Sequence, residues 1–466
     1  MTPNRTNLEN PLKKIELEYP VETIAVHTTP VWPFLRYYYS FSLNRVIANR
    51  PAFNFWRGIA SMFYGLFNWF GTYHYLHFSD SLERKFVNGK WFDKSLDYVG
   101  KLLGDTLLFE HPLPRHYKSS EIATENVCSK LPLHGLVWIY AFLFLRRIKI
   151  KNREILEAIE KQYNCSIDFE ALVKKNLAQE VVGKWLIKVY KPKAIFMQCF
   201  YTNMGFVKAF REHGIPVVEI QHGIIAAHHG AYNVYKKIEP LYYPDYVFTF
   251  GDREFETFSA SNYFIDPKNV KPVGHFYIDH LNNEFKGDQT FKTILAQYKN
   301  SVTVSSQDIV EETELLAFLK HTALKSKDTL FVFFPRHKPK DYYDQFNLPS
   351  NIILTPWLNV YEAIASTDFH STMHSTCAIE APSLGARNIL ININGLALKY
   401  FSYLLDGRNL TYVANTPEEF IAHLNLPPKS RHEIINQNGY FIRPNYRLNV
   451  VNALKEILNS TELNLE

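Results

Sequence analysis

The sequence predicts an α/β protein of two parallel-sheet domains, and three observations carry that prediction. Its 466 residues exceed what one ordinary hydrophobic core organises. Short apolar runs bounded by turn residues alternate with stretches of helical spacing, the pattern of strands covered on both faces of a parallel sheet. The rhythm breaks at the polar stretch NNEFKGDQTFKTILAQYKN, residues 282–300, and then starts again.

Composition sets the class. Hydrophobic residues at 46% and charged residues at 21% describe a folded chain. A net charge of +5 suits an anionic small molecule or an acidic lipid surface, and is too diffuse to argue for nucleic acid. Cys128, Cys165, Cys199 and Cys377 form no CxxC pair, which argues against a zinc site or a disulfide framework and fits a reducing cytoplasm. The opening MTPNRTNLENPLKKIELE is polar and carries no secretory signal, so the expected location is cytoplasmic.

Taken in order, residues 31–78 are unusually aromatic, within a chain of 15% aromatics. The uncharged part, residues 58–70, falls short of the ~20 residues that a spanning helix needs. It reads as a buried or domain-packing helix, with an interfacial helix anchored by Trp56, Arg57 and Trp69 as the alternative. TYHYLHFSD reads as a strand ending at Ser79-Asp80, DKSLDYVGKLLG as a helix closed by Gly104, and DTLLFE as a strand. LVWIYAFLFL, residues 136–145, reads as a core helix whose trailing Arg146, Arg147, Lys149 and Lys151 complement its dipole. A membrane-docking patch with a basic rim is the alternative there.

Helices are expected over 152–190, followed by strand KAIFMQC, a helix stopped by Gly214, strand PVVEI and strand PDYVFTFG. VKPVGHFYIDHL, residues 270–281, is read as a last strand running into the linker. The second rhythm comprises NSVTVSSQ, a helix, TLFVFFPRHKP, NIILTP, a helix, DFHST, the helix STCAIEAPSLG ended by Gly385, RNILINI, LTYVA and the helix TPEEFIAHL. The terminal YRLNVVNALKEIL is amphipathic. The expected divisions are an aromatic segment 1–72, a first domain 73–282, a second domain 283–440 and a terminal helix 441–466.

Three strand-end loops hold polar residues that packing does not explain. Gln221-His222-Gly223 follows PVVEI, with His228 and His229 beyond it. An imidazole at the carboxyl end of a parallel strand stands where such sheets bind ligands, and a neutral one can take a proton from an attacking hydroxyl. The glycine beside it is expected to turn the chain sharply or to let a ligand approach. Pro335-Arg336-His337-Lys338-Pro339 follows LFVFF, and cations at the mouth of a sheet suit a diphosphate. Ser371-Thr372-Met373-His374-Ser375-Thr376 leads into a helix start, which with its hydroxyls suits an anion, and Glu380 lies one turn further on. Each loop also has a plain alternative: solvated histidines, a charged turn and ordinary N-caps, respectively. No GxGxxG, Walker A or DxD-type sequence stands beside them, so dinucleotide and ATP chemistry are disfavoured and no divalent metal is called for.

The ordered set QHG, VGHFYID, FFPRHKP and HSTxxxEAxxxG resembles the GT-B glycosyltransferases of bacterial capsule and surface-polysaccharide biosynthesis, related to the glycerophosphotransferases of teichoic-acid assembly. The resemblance covers residues 194–392 and leaves the aromatic N-terminal segment outside it. It departs from the family at His337-Lys338-Pro339, where His-Pro is usual, and at Gly274–Asp279, which lacks the usual proline.

The resemblance implies two facing Rossmann-like domains, with acceptor on the first, nucleotide donor on the second and a C-terminal helix crossing back. It implies His222 as catalytic base, supported by Gln221, Gly223 and His374. Arg336, His337, Lys338, Ser375 and Thr376 would hold the donor phosphates, and Glu380 the donor ribose. The expected activity is an inverting, metal-independent transfer of a sugar or polyol phosphate to a surface glycan or lipid-linked acceptor. No cofactor is expected beyond the nucleotide-activated donor, and a peripheral contact with the inner face of the membrane stays open. The rivals are a nucleotide-sugar 2-epimerase of the same fold and a non-catalytic glycan- or nucleotide-binding assembly protein.

Overall fold

The computed structural model describes residues 10–43, 55–223, 225, 229–258, 261–306, 312–335, 340–355, 357–458 and 463. They fall into two compact units. The first comprises the chain up to Thr249, Arg253–Pro272 and the stretch from Leu448 onward; the second comprises Phe250–Asp252 and Val273–Arg447.

In the first unit, the helix α1 (Trp32–Leu43) brings part of the aromatic segment into the core: Trp32, Phe34 and Tyr39 are fully buried. A buried ion pair fixes it. Arg36 donates to Glu16 and to the carbonyls of Gly230 and Asn233, while Glu16 also accepts from Trp32 Nε1 at 2.9 Å and from the Tyr235 backbone N–H at 2.8 Å. Helix Phe55–Met62 and the 3-10 turn Leu66–Phe70 follow.

The sheet of this unit begins with β1 (Tyr75–Asp80) and continues through β2 (Thr106–His111) and β3 (Val127–Ser129). Helix α2 (Asp97–Leu103) lies between β1 and β2, and Gly104 ends it, as expected, at φ 76°, a positive value that favours glycine. After β3 come helices α3 (Leu131–Phe144) and α4 (Phe169–Tyr190). The sheet then continues with β4 (Ala194–Met197), β5 (Val217–Ile220), β6 (Tyr246–Thr249) and β7 (Val270–Pro272). Strand order is β7-β6-β5-β4-β1-β2-β3, parallel throughout. The chain winds outward from β1 to β3, returns to place β4 beside β1, and winds the other way. That reversal between β1 and β4 is where a doubly wound sheet opens its ligand crevice.

The second unit repeats the plan. Helix α5 (Phe276–Asn283) leads into β8 (Asn300–Ser305), β9 (Thr329–Phe334), β10 (Ile352–Ile353), β11 (Phe369–Thr372), β12 (Arg387–Ile391) and β13 (Thr411–Ala414). The order is β10-β9-β8-β11-β12-β13, again all parallel, so its reversal lies between β8 and β11. The short helix α6 (Cys377–Glu380) follows β11, and helix α7 (Tyr446–Leu458) begins in the second unit and continues in the first. The predicted two-domain parallel α/β class and the returning terminal helix are both present.

Three elements differ from the sequence reading. Residues 270–281 hold a three-residue strand and then α5, because the His275 ring caps Ile278 N–H and Gly274, at φ 98°, breaks the extended run. A Cβ on Gly274 would stand 2.2 Å from the Arg443 carbonyl oxygen, so only glycine fits there. Asp279 Oδ1 accepts from the Tyr446 backbone N–H at 3.1 Å, tying the linker helix to the start of α7. The helix expected over STCAIEAPSLG is α-helical only through Glu380 and continues as a 3-10 turn, Ala381–Leu384. Pro382 has no N–H for the Ala378 carbonyl, which accepts from Asn388 Nδ2 at 2.7 Å instead. Finally, α3 is not a core helix. Trp138, Phe142, Leu143 and Phe144 are each more than half exposed, and Leu133 and Val137 are the residues it buries.

Candidate active site

The first unit gathers its polar side chains at the carboxyl ends of β1, β4 and β5, beside the reversal of strand order. Asp80 ends β1, Cys199 lies two residues past β4 in a left-handed conformation (φ 52°), and His222 lies two residues past β5. Gln221 sets the last of these. Its backbone N–H pairs with the Phe248 carbonyl, and its amide nitrogen donates to the Gly223 carbonyl at 2.9 Å and to Glu254 Oε1 at 3.1 Å. The chain bends at Gly223, as expected. Its backbone is not left-handed, and a Cβ there would meet no atom of the described residues within 4 Å.

His222 Nε2 lies 3.2 Å from Cys199 Sγ and 3.3 Å from the Tyr201 hydroxyl, which itself donates to Cys199 Sγ at 3.3 Å. Nδ1 lies 4.0 Å from Glu219 Oε1. Glu219 is fully buried, and its carboxylate accepts from the Tyr232 hydroxyl at 2.8 Å and the Phe200 backbone N–H at 3.1 Å.

Burial dominates the electrostatics of this cluster. Desolvation, reinforced by the Lys94 charge, pulls His222 down to about 4. Desolvation pushes Glu219 up to about 8, against the hydrogen bonds it accepts. Cys199 is pushed to about 12 by burial and the Glu219 charge, and Tyr201 rises further for similar reasons. At neutral pH the thiol and phenol therefore keep their protons and His222 is neutral, so one of its ring nitrogens is an acceptor able to take a proton. A thiol nucleophile does not fit: burial and the Glu219, Asp80 and Glu83 carboxyls all oppose a Cys199 thiolate, and they outweigh the nearby Lys130 charge.

Glu219 also gives a pH test. Its folded value is raised, so the native state holds a proton that the unfolded chain has lost, and its contribution to stability falls as pH rises from 4.5 to about 8. Glu219→Gln keeps an acceptor oxygen and cannot ionise. The melting-temperature difference between this variant and the native protein is expected to grow in the variant's favour between about pH 5 and about pH 8. Thermal unfolding at both pH values checks it, and a pH-independent difference would mean that Glu219 ionises normally.

The sequence marks Asp80 only as the end of a strand. Burial and the Glu83 charge raise it to about 6, while its oxygen caps the Leu82 N–H. Cys199, Tyr201, Glu219, Lys94 and Lys130 are further members that sequence reasoning missed. The one signal available was that Asp80 and Cys199 each stand at the end of an apolar strand run.

In the second unit, Ser371 and Thr372 belong to β11, and their hydroxyls donate to the Ile389 and Ser305 carbonyls at 2.6 and 2.9 Å, which makes them part of the sheet. His374, Ser375 and Thr376 stand beyond the strand end. The His374 ring packs edge-on against Tyr400, buried Ser375 accepts weakly from Cys377 N–H at 3.4 Å, and Thr376 is exposed. Glu380 is oriented by the Tyr361 hydroxyl, 3.1 and 3.0 Å from its two oxygens. These groups sit at the β8/β11 reversal. Because α6 is a single turn, hydroxyls rather than a helix dipole are what this loop offers an anion. Arg336, His337 and Lys338, and likewise His228, lie outside the described residues.

No family model and no curated protein matches the chain. Among solved structures, a UDP-GlcNAc 2-epimerase from Methanocaldococcus jannaschii aligns at 10% identity and TM-score 0.49, covering 82% of this chain and 99% of that one. A UDP-GlcNAc 2-epimerase from Neisseria meningitidis, bound to UDP-GlcNAc, aligns at 12% and 0.47, covering 82% and 99%. A calicheamicin glycosyltransferase aligns at 13% and 0.46, covering 84% and 99%. The fold assignment rests on the two sheets of this chain themselves.

Proposed function

We propose that the protein is a GT-B-type, metal-independent, inverting transferase that moves a sugar or polyol phosphate from a nucleotide-activated donor to a surface glycan or lipid-linked acceptor. The supporting observation is a division of labour between two doubly wound sheets. Beside its strand reversal the first carries a neutral imidazole, and the second carries hydroxyls and an oriented carboxylate. In this reading the acceptor hydroxyl loses its proton to His222 Nε2 as its oxygen bonds to the transferred group. The bond to the nucleotide phosphate breaks, and that oxygen leaves with the electron pair. Arg336, His337 and Lys338, with Ser375 and Thr376, neutralise the leaving phosphate, and Glu380 accepts from ribose hydroxyls.

A thermal-shift screen of CMP, CDP, UDP and GDP tests the donor half. A nucleotide at a hundred times its dissociation constant stabilises the fold by about 2.7 kcal/mol. One of the four is expected to raise the melting temperature of the native protein, and Arg336→Ala with Lys338→Ala to abolish the rise. No shift with any nucleotide, or an undiminished shift in the variant, would count against this donor site.

A further inference from the structure

Helices α3 and α4 of the first unit border a pocket of about 680 Å³. One wall is apolar, formed by Val137, Trp138 and Phe142, and its polar lining includes His134, Lys174, Lys175 and Arg146. Just before α3, buried Lys130 donates to Asn203 Oδ1 at 2.8 Å. The His111 and His134 rings are 5.2 Å apart, and His111 Nδ1 has no hydrogen-bond partner among the described residues. This is a crowd of like charge. Burial and the Lys175 charge lower Lys130 to about 8, and burial with the Lys130, His111 and Lys175 charges depresses His134. Cationic groups held together against their own repulsion form a site that an anion relieves.

The surroundings say what kind of anion. Trp138 is 67% exposed and Phe144 68%, and the Arg146 guanidinium lies over the Phe142 ring. Helix Phe55–Met62 packs against α3, and the turn that follows it exposes Phe67 at 87% and Phe70 at 82%. That turn is anchored to β3, where Asn68 Nδ2 donates to the Val127 carbonyl at 2.8 Å, so the exposed phenylalanines ride on fixed structure. No helix among the described residues is long and apolar enough to cross a membrane. An exposed aromatic face bordered by cations fits a surface that is apolar inside and anionic at its rim.

We propose that this pocket binds a lipid phosphate presented by a bilayer, with the phosphate against His134, Lys174 and Lys175 and the hydrocarbon chain along Trp138 and Phe142. The exposed face around it rests on the same bilayer. This site is independent of the transferase reading, since binding requires no donor.

Vesicle flotation with the full chain tests it, using three compositions: phosphatidylcholine alone, phosphatidylcholine with about a third phosphatidylglycerol, and phosphatidylcholine carrying a prenyl phosphate. Binding to either anionic composition and not to the first is expected. If phosphatidylglycerol suffices, the source is bulk membrane lipid; if only the prenyl phosphate works, it is a dedicated lipid carrier. Lys174→Glu with Lys175→Glu is expected to weaken binding roughly tenfold or more, and Trp138→Ser with Phe142→Ser, at exposed positions, to do so with an unchanged melting temperature. Equal binding to neutral vesicles, unaltered binding by the charge variant, or equal stabilisation by inorganic phosphate alone would overturn the proposal.

Discussion

His222→Ala is expected to lower kcat/KM roughly 10²–10⁴-fold, the usual contribution of a positioned general base, with native circular dichroism and melting temperature. The expectation follows from where the ring stands. It is partly exposed, with 22% of its side chain open to solvent, and Nε2 is held by groups that keep their own protons. The pH profile separates this role from a merely structural one. Because His222 titrates near 4, activity is expected to fall only below about pH 5 and to stay flat up to neutrality. An acid limb near the ordinary value of 6.5 would mean that the imidazole is not desolvated as described. Asp80, raised to about 6, supplies a built-in control: if the limb lies near 6 and survives in His222→Ala, Asp80 is the base.

The second large effect is on stability. Arg36→Ala is expected to cost the first unit about 3–5 kcal/mol, the range for removing one partner of a buried ion pair. Arg36 and Glu16 are both about 99% buried, and the guanidinium satisfies the carbonyls of Gly230 and Asn233 as well as the carboxylate. Truncation therefore strands a buried charge and two acceptors at once. The loop holding Gly230 and Asn233 follows His222 in sequence, and its Tyr232 hydroxyl bonds Glu219, so loosening it is also expected to lower kcat at temperatures where the variant is folded. Urea unfolding measures the first effect, and a loss below about 1 kcal/mol would show that the pair relaxes into solvent.

Strands were the most legible part of the sequence, because runs such as KAIFM and PVVEI are too short and too β-branched or aromatic to be anything else between helices. His222 was legible for the same reason: it follows such a run directly. Its neighbours were not. Cys199, Glu219 and Asp80 meet because β1, β4 and β5 lie near one another in the sheet, and sheet order leaves no local trace in the chain. Ser371 and Ser375 look alike in sequence, yet one is locked to the Ile389 carbonyl inside the sheet and the other stands past its end. The α3 helix misled for a different reason: hydropathy measures what a side chain prefers, and here apolar side chains face outward. Residues 270–281 differ from the reading because VKPV opens as a short β-branched run, and Gly274 and the His275 cap end it where the sequence reads on as strand.

The central claim, transfer to an acceptor, is tested most directly by nucleotide release from a defined activated donor, with and without a lipid-linked or glycan acceptor. The account predicts stoichiometric release and a new glycosidic or phosphodiester product only when acceptor is added, lost in His222→Ala. Conversion of the donor with no acceptor present, into an epimer or free sugar, would contradict it.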